Sequence, residues 1–267
     1  MMLCKEKNSM TKISHGAIPD WYNKYCIYED AQEDSPNAIA TNKLITKILK
    51  KYKVTSVLDL TCGTGSQVFW LLDHGFQVIG SDISRGMLSI AKKKAKIAKK
   101  SVKLFYGDMR TINLGRYDAA ITIFNAVGHL TKKDFAKSMR NIRSNLNQDG
   151  IYIFDILNLN YVKQGDNILK MSYEWLKKEG NTKLRTIQHS IIDDRGILIS
   201  YSTFYTQKGN GKLKTSNNVI TLQLYTAHEL KSMLSKNGFQ VLAQIGMDGR
   251  KFSELKTERI LTIAKKK

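Results

Sequence analysis

The sequence predicts an α/β protein, a doubly wound and mostly parallel sheet with helices on both faces and an antiparallel β insert late in the chain. Three observations predict it. From residue 54 onward, apolar strands alternate with amphipathic helices. The first strand runs directly into a glycine turn and a helix, VLDLTCGTG at 57–65. Period-two alternation then replaces the helical pattern from about 168 to 225. A βαβα order makes the strands parallel and puts a ligand at their carboxyl ends.

The elements follow in order. Residues 53–60 read as a strand buried on both faces, because VTSVLDL is β-branched and apolar. A helix over 66–74 stops at Gly75, and FQVIGS at 76–81 is the second strand. Ser84 can cap a helix reaching residue 100, with Met87, Leu88, Ala91, Ala95 and Ala98 at helical spacing. Strands are expected at 102–106 and at 117–124, YDAAITIF. The helix at 131–146 has a capping box in Thr131 and Asp134 and buries Phe135, Met139, Ile142 and Leu146 on one face; a fifth strand covers 150–156. In the insert, HSIIDDRGILISYSTFYT turns near Asp194-Arg195-Gly196, KGNGK at 208–212 is a second turn, and NNVITLQLY at 217–225 is a further strand. A helix at 226–237 and strands at 239–245 and 259–264 resume the core. The expected organisation is an N-terminal helical or lid segment over 1–40, a core over 41–160 and 226–267, and an insert over 161–225. Such an insert lies over the ligand edge as a lid or substrate platform, or offers a surface to a second copy in a homodimer.

Composition narrows the class. An apolar fraction of 42% over 267 residues supports a full hydrophobic core. Cys4, Cys26 and Cys62 show no CxxC spacing, which argues against a disulfide scaffold and a zinc site and for a reducing, cytoplasmic setting with no metal. The first dozen residues lack the apolar run of a secretory signal. No apolar run reaches the roughly 18 residues of a spanning helix, so no membrane partner is expected. The formal charge of +20 admits attraction to phosphates, nucleic acid included, but the excess is Lys spread along the chain, which suits a solvated surface. The densest run, KKKAKIAKK at 92–100, covers most of the outer surface of its helix.

The chemistry sits at the strand ends. Asp59 closes the first strand, and Gly63 and Gly65 let the following backbone approach a ligand ahead of a helix N-terminus. Thr61 and Cys62 belong to the same loop; Cys62 has no activating neighbour in sequence and reads as a small loop residue. Asp82 closes the second strand, where a carboxylate can accept both hydroxyls of a ribose. A dinucleotide fingerprint starting at Gly63 would need a small residue at its last position, where this chain has Val68. A cationic nucleoside without a pyrophosphate carries no such demand and suits the acidic Asp59.

This ordered set resembles the class I S-adenosylmethionine-dependent methyltransferases over about residues 40–265. VLDLTCGTG is similar to their first motif, GSDIS to their acidic second strand, YGDMR at 106–110 to their adenine-binding segment, and LNQDGIYIFDI at 146–156 to their fifth strand with its glycine turn. The resemblance implies a Rossmann-like sheet with an antiparallel last strand and S-adenosyl-L-methionine as cofactor. It further implies contacts from Asp59, Gly63 and Gly65 to the methionine part, from Asp82 to the ribose and from Asp108 to the adenine amino group, with Thr61 and Cys62 in the same cofactor-binding loop. Ile83, Met87 and Met109 would pack on the adenine ring, with Phe124 at the end of the fourth strand. Within that class, GDMRTINLGRYDAAITIFNAVGHL at 107–130 and ITLQLYTAHEL at 220–230 look like the bacterial N,N-dimethyltransferases of nucleotide-linked amino sugars. Where those enzymes run into an acidic, Trp-containing segment after the fifth strand, this chain reads FDILNLN.

That likeness implies a small-molecule acceptor, with His129 assisting loss of an amine proton and Tyr22 or Tyr25 positioning the acceptor. A histidine titrates near neutral pH, and an in-line transfer is mainly a matter of orientation. His129 also reads as a capping or packing residue, and Trp21, Tyr22, Tyr25 and Tyr28 as an apolar helix face. His189 and His228 read as structural or solvated. Two rivals stay open. An RNA or tRNA methyltransferase fits the charge, but FNAV at 124–127 is not the (N/D/S)PP(Y/F) of base-amine enzymes, and no proline follows Pro36 to supply a Pro-Cys nucleophile. A non-catalytic adenosyl-cofactor-binding protein fits the same loop. A nicotinamide dehydrogenase is disfavoured by Val68.

Overall fold

The computed structural model describes residues 14–16, 20–24, 26, 30, 35–164 and 173–267. Its main sheet begins with β1 (Ser56–Asp59), β2 (Gln77–Asp82), β3 (Lys103–Tyr106), β4 (Tyr117–Thr122) and β5 (Leu146–Leu157), all parallel. A second, antiparallel sheet holds β6 (Tyr173–Glu179), β7 (Thr182–Ile192), β8 (Ile197–Lys208) and β9 (Lys214–Gln223) in sequence order. β10 (Phe239–Gly246) and β11 (Arg259–Lys266) complete the main sheet, whose order is β10-β11-β5-β4-β1-β2-β3. β11 is antiparallel to both its neighbours.

Side-chain alternation divides the core between the two faces of this sheet. Val57, Ile121 and Ile153 pack on one face; Leu58, Ala120, Tyr152 and Phe154 pack on the other. The helices are α1 (Trp21–Lys24), α2 (Pro36–Lys51), α3 (Ser66–Asp73), α4 (Arg85–Ile97), α5 (Lys132–Ser144), α6 (Leu159–Val162) and α7 (Ala227–Lys236). Five of them start on a side chain that accepts an otherwise orphaned amide: Ser35, Ser84, Thr131, Asn158 and Thr226. The chain leaves β1 for β2 on one side and reaches β4 on the other, so a crevice opens at the carboxyl end of β1.

Local contacts move some boundaries from those expected. The helix at 131–146 ends at Ser144, because the buried Asn145 side chain accepts from Leu114 N (2.9 Å) and donates to Ile112 O (3.1 Å). β5 begins at Leu146 rather than 150; its register against β4 jumps from Tyr117↔Leu146 to Ala119↔Ile151, and Asp149 turns in the left-handed region at φ 64°. β4 ends at Thr122 rather than 124, because Phe124 and Asn125 have φ of 64° and 60°. The short helix α6 has no periodic signal long enough to read. Among the described residues, no helix is long and apolar enough to cross a membrane.

Candidate active site

A cavity of about 420 Å³ opens at the carboxyl ends of β1, β2 and β4. Its first wall is the loop after β1. Gly63, at φ 55°, lines the cavity, and the space a side chain would take there is open. Gly63 N donates to Asp82 Oδ2 (2.9 Å), Ser84 N donates to Asp82 Oδ1 (2.8 Å), and Cys62 N donates to Ser81 O (3.0 Å). The end of β2 thus holds the loop in shape. Gly65 does not line the cavity. It caps α3 at φ 97°, where a Cβ would sit 2.5 Å from the Phe69 ring, so its requirement is conformational.

Asp59 stands behind this loop, fully enclosed. Its Oδ1 accepts from Thr61 N (3.1 Å), while Oδ2 has no partner among the described residues. Burial pushes its pKa up to about 7, with the nearby Asp82 adding to the rise and the Thr61 amide opposing it. Burial likewise raises Asp82, against the amides of Ser84, Gly63 and Ile83. Thr61 Oγ1 and Gln67 Nε2, both on lining residues, are also buried without partners among the described residues. Unpaired donors and acceptors gathered at one end of a cavity mark a polar ligand, since such groups cost about 1–3 kcal/mol each when left unmet.

The Asp59 shift has a testable sign. Its folded pKa, about 7, lies above the value of 3.8 for an unperturbed Asp, so the folded state binds more protons between those values. Stability is therefore lost as pH rises from about 4 to about 7. Asp59→Asn keeps an acceptor for Thr61 N and removes the charge. It is expected to be more stable than the parent at pH 8, on the order of 2–4 kcal/mol, with the difference vanishing near pH 4, as followed by urea denaturation at both pH values. Equal stability at pH 8 would contradict the buried, unpaired carboxylate.

The second wall carries Ile83, Met87, Gly107, Asp108 and Met109. Asp108 arrives already paired. Arg110 Nε donates to its Oδ1 and Oδ2 (3.0 and 2.9 Å) and Nη2 to Oδ2 (2.6 Å). Burial raises its pKa, but the Arg110 bonds outweigh that and hold it below the ordinary range.

The opposite end is formed by Tyr22, Phe124, Ala126, His129 and Arg259. Tyr22 Oη and His129 Nε2 are 2.8 Å apart, with their rings edge to face. Burial is the main cause that lowers the His129 pKa to about 4, helped by nearby His15 and opposed by the Thr221 backbone. Phe124 is 43% exposed, and the Arg259 guanidinium lies 5.6 Å from its ring centre. Asp155, fully buried at the end of β5, fixes both. Phe124 N (2.6 Å) and Asn125 N (3.3 Å) donate to its carboxylate, and Arg259 pairs with it through Nε (3.0 Å) and Nη2.

One cavity therefore gathers Tyr22, Thr61, Cys62, Gly63, Asp82, Ile83, Met87, Asp108, Met109, Phe124 and His129, with Asp59 and Gly65 behind its wall. Tyr25 lies outside the described residues, as do Tyr28 and Cys4. His189 is exposed and stacks on Tyr201 in the second sheet, away from this cavity. Arg259, Asp155 and Gln67 were not singled out from the sequence. An acid within the apolar run IYIFDI was the one available signal, and it pointed to Asp155 without naming its partners. Among the described residues no cluster suits a metal ion.

The cavity fits an adenosyl sulfonium better than a dinucleotide. Among the described lining residues the charged groups are Asp82, Asp108 and Arg259, and Arg259 lies at the far end from the glycine loop, so no cation there meets a pyrophosphate. The orphaned Asp59 oxygen suits an ammonium, and the orphaned Gln67 amide suits a carboxylate.

Comparison with known proteins agrees. A family model described as a methyltransferase domain matches residues 57–150. A putative methyltransferase of Geobacillus sp. (strain WCH70) is 25% identical over 259 residues, spanning 92% of this chain and 97% of that one. A dTDP-3-amino-3,6-dideoxy-α-D-glucopyranose N,N-dimethyltransferase of Streptomyces fradiae is 32% identical over 105 residues, 39% of this chain and 40% of that one. The fold is similar to that of an amino pentose methyltransferase from Micromonospora echinaspora solved with S-adenosylmethionine, at a TM-score of 0.69, 17% identity, and coverage of 95% of this chain and 100% of that one.

Proposed function

We propose, for a chain that belongs to the class I S-adenosylmethionine-dependent methyltransferases, that it methylates the nitrogen of a small-molecule amine, an amino sugar being the acceptor class that its relatives suggest. The observation that carries the acceptor end is the Tyr22–His129 pair at 2.8 Å in the cavity wall, beside Phe124 and Arg259. Bound in the cavity, S-adenosylmethionine supplies an electrophilic methyl carbon. Asp82 would hold the ribose, Asp59 and Gln67 the amino-acid part, and Ile83, Met87 and Met109 the adenine.

His129 acts here differently from a base poised near neutral pH. Its pKa of about 4 keeps it uncharged over the whole physiological range, and with the proton on Nδ1 its Nε2 accepts from the Tyr22 hydroxyl. The same burial disfavours the ammonium form of an acceptor amine, which therefore binds with its lone pair free. In this reading His129 Nε2 accepts the Tyr22 hydroxyl proton, and the Tyr22 oxygen so held accepts an amine N–H and aims the lone pair. Arg259 gives the acceptor end a cation that suits an anionic group elsewhere on the same molecule.

His129→Ala is expected to lower kcat about a hundredfold, and Tyr22→Phe about tenfold, without changing cofactor affinity. The acid limb of kcat/KM should follow the acceptor amine, with no inflection near pH 6.5. Transfer of labelled methyl to amino sugars, small amines, carboxylates and bulk tRNA identifies the acceptor. Incorporation into tRNA alone, or an unchanged rate in His129→Ala with the true acceptor, would overturn the reading.

A further inference from the structure

The N-terminal segment contributes His15 to the region behind His129. Its Nε2 lies 3.1 Å from the carbonyl of Leu130, the residue after His129, and its Nδ1 lies 2.9 Å from Thr221 Oγ1 on β9. A carbonyl only accepts, so in a neutral ring Nε2 carries the proton and the Thr221 hydroxyl donates to Nδ1. One imidazole thereby ties the turn that holds His129 to the insert sheet.

Two glycines show how closely these parts approach. A Cβ at Gly16 would sit 2.5 Å from Thr131 Cγ2, so the segment at 14–16 lies tight on the residue that caps α5. A Cβ at Gly128 would sit 3.1 Å from Leu222 Cδ2 and 3.3 Å from Gln223 O, so β9 also packs closely on the His129 turn. Between them, His129 Nδ1 is enclosed and faces the Thr221 backbone without completing a hydrogen bond.

We infer that His15 is a positioning residue that holds the Thr221 backbone against His129 Nδ1 and so fixes the tautomer of His129. With the proton kept on Nδ1, toward the Thr221 carbonyl, the lone pair of Nε2 accepts the Tyr22 hydroxyl and holds Tyr22 in the cavity wall. The same residue makes acceptor orientation depend on three parts of the chain at once: the N-terminal segment, the turn after β4, and the insert. The titratable and charged groups around this link are Tyr22 on α1, His15 and His129 themselves, and Asp193 and Arg195 at the β7–β8 turn. This inference rests on the proposed role of His129, but its test does not depend on that role.

The test is nitrogen-15 NMR of the imidazoles in the full-length protein, together with steady-state rates for His15→Ala, His15→Gln and Thr221→Val. The parent should show His129 with Nε2 unprotonated and Nδ1 protonated. Gln offers one donor and one acceptor, so His15→Gln should keep that pattern and a rate within about threefold of the parent. His15→Ala and Thr221→Val should both give a mixture of tautomers and a kcat about tenfold lower, with cofactor affinity unchanged. An unchanged His129 spectrum in His15→Ala overturns the inference, as does equal impairment in His15→Gln and His15→Ala. A tautomer change in His15→Ala combined with full activity in His129→Ala would uphold the link and overturn the catalytic reading of His129.

Discussion

Asp82→Ala should lower the affinity for S-adenosylmethionine at least a hundredfold, about 3 kcal/mol. The carboxylate has two duties. It accepts the amides of Gly63 and Ser84, which sets the shape of the loop, and it lines the cavity. Hydrogen bonds to a charged group contribute about 1.5–3 kcal/mol each, and an amide left without its acceptor adds a penalty of similar size. Asp82→Asn keeps one acceptor oxygen and should fall between the parent and the alanine variant. Isothermal titration with the cofactor and with its demethylated product measures both. Thermal melting of the ligand-free proteins separates loss of binding from loss of fold. Binding within threefold of the parent in Asp82→Ala would remove Asp82 from the ribose site.

The largest loss of stability is expected for Asp155→Ala. The carboxylate is fully buried and accepts from Phe124 N, Asn125 N and the Arg259 guanidinium. Phe124 and Asn125 both occupy the left-handed region, which non-glycine residues enter only when the surroundings hold them there. Removing the acid leaves a cation without its partner and a strained turn without its acceptor. Breaking a buried pair costs about 3–5 kcal/mol, and the low end applies because the Arg259 side chain keeps 21% of its exposure. Urea denaturation should therefore show a loss of about 3 kcal/mol, partly recovered in the double variant Asp155→Ala/Arg259→Met. Activity should not recover with it, since Phe124 and Arg259 both line the cavity. Full recovery of turnover in the double variant would separate this pair from the acceptor site.

The glycine-loop end of the cavity was legible in the sequence because it is local. Asp59, Gly63 and Asp82 lie at the ends of strands whose apolar runs can be read directly, and a parallel sheet brings such ends to one edge. Val68, which argued against a dinucleotide, is wholly buried in the core, so that position serves packing. Gly65 matched a motif, yet its positive φ and the Phe69 ring explain it without a ligand contact.

The opposite end of the cavity was only partly legible, because its contacts join residues far apart in the chain. His129 and Tyr22 carried a local hint, but their contact spans 107 positions. His15 to Thr221 spans 206, and Asp155 to Arg259 spans 104. No periodicity or turn rule relates such positions. Burial also changed the chemistry of His129: in sequence it is a group that titrates near neutral pH, while in the fold its enclosure keeps it uncharged there. The sequence by itself determined the sheet, the glycine loop and the acidic strand ends, since these follow from hydrophobic pattern and backbone freedom. Only the tertiary structure decided which distant side chains face that loop and in which protonation state, since both depend on desolvation and on contacts formed when the insert and the N-terminal segment pack against the core.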